Sequence, residues 1–366
     1  KAITGDDLDQ ALAAVGEVDL DLRGEIRPPD DRRPRVLTTA AVGRVNWHDV
    51  ERAATRDAYG QALNRIAPAF PHLVVLDGEV SNSTRARFFA GEHPDRFFEM
   101  YVAEQNMVGT ALGLERRGKL PFVSTFAAFL TRACDQVRMA QYSRANLKFC
   151  GSHAGVAIGQ DGPSQMGLED LAMFRGLLDG VVLYPADAVA TDRLTEAMAR
   201  HEGICYLRTT RNATPVIYGE DDELIIRGSR VVHPGPADQL TIVAAGITLH
   251  EALAAHEELQ THGVLARVID LYSVQPVDRA TLRRAADETG RLLTVEDHGP
   301  VGGLGDAVRE ALADDPVPVR SLAVREIPTS GKPEELLSTM MIDRQAIVAA
   351  ALSLVDAKAD GRKARG

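Results

Sequence analysis

An α/β fold of two domains, each a mostly parallel sheet flanked by helices, is predicted from three features of the sequence. From Arg52 onward, stretches of helical periodicity alternate regularly with short apolar runs. Those runs are apolar on both faces, as strands covered by helices on both sides must be. The rhythm breaks at 215–238, PVIYGEDDELIIRGSRVVHPGPAD, with a charge run, hairpin-like short strands and a PGP turn, and then resumes. The 366 residues accommodate two domains of ordinary size.

Residues 1–50 read as a linker: a short helical piece, Asp6 to Val15, and then RGEIRPPDDRRPRV, whose prolines and charges cannot bury much and are expected to wrap on a surface. A chain that opens on a linker is expected to have had something before it. The first domain spans 51–225. Its helix 52–68 leads to strand 72–78, helix 103–117 to strand 120–126, and helix 129–143 to strand 147–153; helix 168–178 then leads to strand 180–186 and helix 188–201 to strand 203–209. The second domain spans 226–358, with strands 239–246, 266–273, 291–298 and 319–326 separated by helices 248–262, 278–288 and 304–313, and a closing amphipathic helix from about 343 to 355. Residues 359–366 read as a disordered tail.

Composition narrows the function classes. A net charge of −11 argues against a general nucleic-acid binder or an anionic-membrane binder, while leaving room for a locally basic pocket. Cys134, Cys150 and Cys205 lie in apolar segments without CxxC spacing, so a reducing, cytoplasmic compartment is expected rather than a disulfide scaffold or zinc site. No apolar run is expected to span a membrane, and the acidic start lacks a signal-peptide core.

In parallel α/β sheets, ligands bind beyond the carboxyl ends of the strands. Four such ends are polar here: DGEVSNST (77–84), STFAAF (124–129), GSHAGVAIGQDGPSQ (151–165) and RTTR (208–211). They supply Ser83, His153, Asp161, Gln165, Arg208 and Arg211, with Arg56 on the first helix beside them. Arginines with Ser and His suit a phosphate, and Asp with Gln suits sugar hydroxyls. Glu104 sits inside an apolar run and, if buried, needs a proton, a counter-charge or a specific hydrogen bond. Each residue also has an ordinary structural reading: a helix-start carboxylate for Glu104, core aromatics for Phe126 and Phe129, a turn for Asp161-Gly162-Pro163, solvated charges for Arg208 and Arg211. Neither GxGxxG nor GxxxxGK[ST] follows a strand, and no metal-ligand spacing is present.

Longer segments carry more information. ATRDAYGQAL, EHPDRFFEMYVAEQNM, PFVSTFAAFLTRACDQVRMA, GSHAGVAIGQDGPSQMGLEDLAMFR, ICYLRTTR, LLTVEDHGPVGGLGDAV and SGKPEELL occur in that order between about Ala53 and Val355. Together they resemble the C-terminal half of transketolases, thiamine-diphosphate enzymes that transfer a two-carbon ketol unit between sugar phosphates. GPSQM, with Gln165 where microbial and plant members usually have His, is similar to the animal-type branch. The resemblance implies a thiamine-diphosphate-binding fold pyrimidine domain followed by a transketolase C-terminal domain. It implies that Glu104 hydrogen-bonds the aminopyrimidine nitrogen of the cofactor as the catalytic carboxylate. It further implies that Phe126 and Phe129 wall that ring, with Arg132 also cofactor-binding. Arg56, Ser83, His153 and Arg211 would hold the substrate phosphate, Asp161 a substrate hydroxyl, and Gln165 would lie near the reacting carbon. The second domain offers no catalytic candidate.

Two departures qualify the resemblance. The family's diphosphate and its Mg²⁺ or Ca²⁺ are held by an earlier domain with a GDG-then-Asn motif and several histidines, which this sequence lacks. The chain is therefore expected to be a split subunit or a piece, active only with an N-terminal transketolase domain or subunit, as a homodimer or heterotetramer. Glu79 stands where the family usually has Asp. The rival readings are a 2-oxo acid dehydrogenase beta-like subunit, a deoxyxylulose-phosphate synthase-like enzyme, and a non-catalytic partner retaining the fold.

Overall fold

The computed structural model describes residues 5–17, 19, 21, 23–25, 40–43, 47, 49–219 and 221–363, the stretch 357–363 by its backbone alone. The chain divides into two units, residues 1–37 and 38–366. In the first, helix α1 (Asp6–Val15) has no buried residue, and most of the proline-rich stretch 23–36 lies outside the described residues. In the second, Trp47, within the stretch expected to be linker, is buried in the core beside Tyr59 and Leu63.

The second unit holds two mostly parallel sheets flanked by helices, as the alternation predicts. The first opens with β1 (Arg52–Ala54) and α2 (Thr55–Ile66), where one helix was expected from residue 52. β2 (Leu73–Asp77), α3 (Ser81–Thr84), α4 (Arg87–Glu92), β3 (Phe97–Glu99), α5 (Glu104–Arg116), β4 (Leu120–Phe126), α6 (Cys134–Tyr142) and β5 (Lys148–Ser152) follow. Then come α7 (Asp170–Arg175), β6 (Val181–Leu183), α8 (Ala188–Arg200), β7 (Cys205–Arg208) and β8 (Ala213–Pro215). β8 pairs back on β1, antiparallel. The second set comprises β9 (Arg230–His233), β10 (Leu240–Ala244), α9 (Ile247–Thr261), β11 (Ala266–Asp270), β12 (Ser273–Gln275), α10 (Arg279–Thr289), β13 (Leu292–Val295), α11 (Leu304–Ala311), β14 (Val319–Leu322), α12 (Pro333–Thr339) and α13 (Arg344–Lys363). α13 continues into the stretch expected as a tail.

The larger sheet has the order β12-β6-β7-β5-β4-β2-β3 and the smaller β14-β13-β10-β11-β9. Residues 266–273, expected as one strand, instead split after Asp270: β11 stays in the smaller sheet while β12 crosses to pair antiparallel with β6. The second segment of the chain thus adds an edge to the first sheet. The stretch Pro333–Asp356 is long and apolar enough to cross a membrane by length and composition, contrary to the reading of the sequence. In the fold it breaks at residues 340–343 between α12 and α13, and α13 packs on α9, burying Ile347 and Ala351. Its apolarity serves a core.

Asp270 marks the crossover. It is fully buried, Oδ2 accepts the Tyr218 hydroxyl at 2.7 Å, and Oδ1 has no partner. Burial, helped by the Asp187 charge against the Tyr218 hydrogen bond, pushes its pKa from 3.8 up to about 8. A folded-state value above that of the unfolded chain gives stability that is full below pH 3.8 and lost as the pH rises through about 8. Asp270→Asn keeps an acceptor for Tyr218 but cannot ionise. It should flatten the decline measured by chemical denaturation between about pH 5 and about pH 9; equal slopes in both proteins would refute the assignment.

Candidate active site at the strand ends

Helix α5 opens at Glu104, and its carboxylate, favoured there by the helix dipole, is only 3% exposed. The partner a buried carboxylate needs is Arg132, whose Nη1 donates to Glu104 Oε1 at 2.6 Å. β4 ends at Phe126, and the 3-10 turn Phe129–Ala133 that follows carries both Phe129 and Arg132. Phe126 stacks on Phe129, centroids 5.1 Å apart, and also on His153, centroids 4.0 Å apart. The Arg132 guanidinium lies over the Phe129 ring at 4.5 Å.

His153, just beyond β5, is buried and adopts φ 57°, a left-handed backbone that costs a non-glycine residue about 1–3 kcal/mol. Glu79 and Arg85, on either side of the short helix that bears Ser83, and Tyr101, just before Glu104, share such positive φ values. The next residue but one, Gly155 (φ 75°), has no room for a side chain, since a Cβ there would lie 1.8 Å from Asp297 Oδ2. Arg56 Nη1 meets His153 Nε2 at 3.4 Å and the Ser83 carbonyl at 3.3 Å. A guanidinium only donates, so Nε2 accepts and the proton sits on Nδ1, donating to Ser152 Oγ at 2.9 Å. Burial, with the charges of Arg56, Arg211 and Arg85, pulls the His153 pKa down to about 3, so the ring is neutral at physiological pH.

Neighbouring loops are fixed by side-chain hydrogen bonds. Asp77, at the end of β2, accepts from the Val80 N–H and the Thr84 hydroxyl, each at 2.7 Å, and so shapes the loop that presents Ser83. Burial raises the Asp77 pKa to about 7. Thr55 and Thr210 hydroxyls meet at 3.1 Å and tie the start of α2 to the end of β7, setting Arg56 near Arg211. Arg211 Nη1 pairs with Asp161 Oδ1 at 2.8 Å and also donates to the Ile158 carbonyl at 3.2 Å. Asn212 donates to the Ala157 carbonyl, and from the second sheet's side Ser330 Oγ donates to the Gln160 carbonyl at 2.8 Å. Both halves of the unit therefore hold the loop bearing Asp161.

Arg56, Ser83, His153, Arg211 and Asp161 thus converge, and the ring stack joins them to Phe126, Phe129, Arg132 and Glu104. Gln165, half-buried in the turn Pro163–Gln165, is in the same loop as Asp161 but makes no side-chain hydrogen bond to any of them. Arg208 does not join the cluster. It is fully buried, donating from Nε to Asp170 at 2.8 Å and from Nη1 to Asp297 at 2.8 Å, and it braces the two sheets. A strand covered on both faces gives no sequence clue to which face a charge takes, and Arg208 shares with Tyr206, which also reaches Asp170, the face toward the second sheet.

Arg85 is a site residue that sequence reading missed. Its Nε pairs with Asp57 and its Nη1 donates to the Asn82 carbonyl at 2.7 Å, and its charge acts on both Arg56 and His153. The available signal was a basic residue two positions after Ser83 in a polar strand-end loop. Arg56 has no carboxylate partner among the described residues, and its buried Nε has no hydrogen bond. Such a donor fits an anion.

Comparison with known proteins gives the family. Two family models match, transketolase, pyrimidine binding domain, over residues 51–216 and transketolase, C-terminal domain, over 229–347. Among solved structures, a split-gene transketolase chain is 38% identical with a TM-score of 0.75, and the match covers 83% of this chain and 98% of that one. The chain belongs to the transketolase family. Human transketolase is 49% identical over 308 residues, 83% of this chain and 49% of that protein. Mouse transketolase-like protein 2 is 46% identical over 333 residues, 88% of this chain and 52% of that protein. The chain spans about half the length of the curated relatives it matches. The Campylobacter jejuni transketolase, 17% identical at a TM-score of 0.74 over 85% of this chain and 48% of that one, shares the fold.

Transketolases use thiamine diphosphate, and the residues present fit its ring end: a buried acceptor carboxylate at a helix start beside a flat aromatic wall. For the diphosphate end, no group of three or more His, Cys, Asp or Glu that could hold a metal occurs among the described residues.

Proposed function

We propose that this chain is the component of a transketolase that holds the cofactor ring and the sugar phosphates. With a separate diphosphate-binding domain or subunit it moves a two-carbon ketol unit from a ketose phosphate to an aldose phosphate. The observation that carries this reading is the 4.0 Å stack of Phe126 on His153, which joins the Glu104 pocket to the arginine cluster in one crevice. Thiamine diphosphate, when bound, supplies the carbanion chemistry, with Mg²⁺ or Ca²⁺ held by the other part.

This chain's residues do the remaining work. Glu104 holds or passes a proton at a ring nitrogen, with Phe126 and Phe129 against the ring. Arg56, Ser83, His153 and Arg211 form the substrate-phosphate site; His153, neutral and with its Nδ1–H given to Ser152, contributes by holding Arg56 through Nε2, so the arginines provide the attraction. Asp161 orients a hydroxyl, and Gln165 borders the reacting carbon. An arginine-rich anion cluster suits sugar phosphates better than the unphosphorylated substrates of 2-oxo acid dehydrogenases. The split-gene relative is described as an inactive β4 tetramer, which supports a self-associating component that turns over only with its other half. Cys134, Cys150 and Cys205 are free thiols, in keeping with a cytoplasmic protein.

The test combines the chain with a transketolase diphosphate-binding half, thiamine diphosphate and Mg²⁺, and follows transfer from xylulose 5-phosphate to ribose 5-phosphate. Turnover is expected from the mixture and not from the chain alone. Arg211→Ala should raise KM for phosphorylated donors by about tenfold or more, its half-exposed position moderating the loss, and leave hydroxypyruvate nearly unaffected. An equal penalty on hydroxypyruvate would contradict the phosphate role.

A further inference from the structure

We infer that Arg132 is a positioning residue that acts through Glu104, fixing the plane of its carboxylate toward the ring nitrogen, rather than a residue that binds the cofactor itself. This rests on the thiamine-diphosphate reading of the pocket. The terminal torsion of a glutamate is broad and roughly two-fold, so burial alone does not set which way its two oxygens face. A single charge-assisted hydrogen bond to one oxygen does set it.

The structure supplies such a bond with its own support. Arg132 Nη1 is 2.6 Å from Glu104 Oε1, and that is the one side-chain hydrogen bond Glu104 makes among the described residues. The arginine is itself held: it rises from the 3-10 turn Phe129–Ala133, which packs on α5, and its guanidinium lies on the Phe129 ring at 4.5 Å. One short segment therefore provides both part of the aromatic wall and the counter-charge that aims the carboxylate. With Oε1 engaged, Oε2 is the oxygen left for a ring nitrogen. The side chain is 49% exposed while Glu104 is 3% exposed, so the guanidinium approaches the carboxylate from the solvent side. A lysine there would keep the charge but not the planar fork, and would orient the carboxylate poorly.

The test is a binding comparison on the chain combined with a transketolase diphosphate-binding half. Titration calorimetry measures thiamine diphosphate and its 1′-deaza analogue, which lacks the ring nitrogen, against the wild type, Arg132→Met, Arg132→Gln and Arg132→Lys. The wild type should prefer thiamine diphosphate. Arg132→Met and Arg132→Gln should bind it about fivefold more weakly while binding the analogue as the wild type does, with Arg132→Lys intermediate. Equal weakening of both ligands would mean that Arg132 holds the fold or another part of the cofactor, and would overturn the inference; so would no weakening of either. A wild type that binds both ligands equally would instead overturn the reading of Glu104 on which the inference rests.

Discussion

In the reconstituted enzyme, Glu104→Gln should lower ketol transfer by about a hundred- to ten-thousandfold, the usual worth of a positioned proton-transfer group. The substitution preserves side-chain shape, and its partner Arg132 is half exposed, so water can take up the released guanidinium hydrogen bond. Thermal unfolding and far-ultraviolet circular dichroism should therefore be nearly unchanged. The loss should appear in kcat at saturating sugar phosphate, because the phosphate site of Arg56, Ser83, His153 and Arg211 is untouched. Initial rates against donor concentration decide the matter, and rates within severalfold of the wild type would sink the proton-transfer role of Glu104.

Arg208→Met should produce the largest loss of stability. Asp170 and Asp297 are fully buried and both lean on this one guanidinium, while Tyr206 reaches Asp170 at 2.5 Å and Tyr184 reaches Asp297 at 3.1 Å. Burial works against the charged form of both carboxylates. At Asp170 the Arg208 charge, with His298 and the Tyr206 hydroxyl, outweighs burial and lowers the pKa; at Asp297 burial prevails and raises it. Removing the cation from such a pair costs about 3–5 kcal/mol, a large share of the 5–15 kcal/mol typical of a domain. The midpoint of urea unfolding should fall accordingly, and adding Asp170→Asn and Asp297→Asn should recover part of it by removing the stranded charges. A loss below about 1 kcal/mol would show that the network is not the brace between the sheets. Because Asp297 also fills the space above Gly155, the variant should disturb the His153 loop as well.

The periodic alternation sufficed for the class of fold, because the hydrophobic pattern is local and each strand or helix carries its own signature. It also located the polar strand ends, since a parallel sheet places its loops together whatever their sequence. Elements shorter than that signature escaped: β1, β3, β12, α3, α4 and α12 span three to seven residues each, and their boundaries follow from pairing partners distant in sequence. β12 is the clearest case, for nothing in residues 266–273 signals that the chain should leave one sheet for another after Asp270.

At the site, the sequence by itself determined which chemical groups could meet. Glu104 demanded a partner simply because a carboxylate stood in an apolar run, and the polar ends marked Ser83, His153, Asp161 and Arg211 as neighbours. Which partner, and which face, were decided by the tertiary structure. Arg132 reaches Glu104 from 28 residues away only because its turn packs on α5. His153 sits on Phe126 because a left-handed residue turns it back over the sheet end. Arg208, three residues before Arg211 in the same strand-end motif, points the other way and becomes structure instead of site. Composition and spacing are properties of a line, whereas burial, counter-charge and the direction of a side chain exist only once the line has been folded against itself.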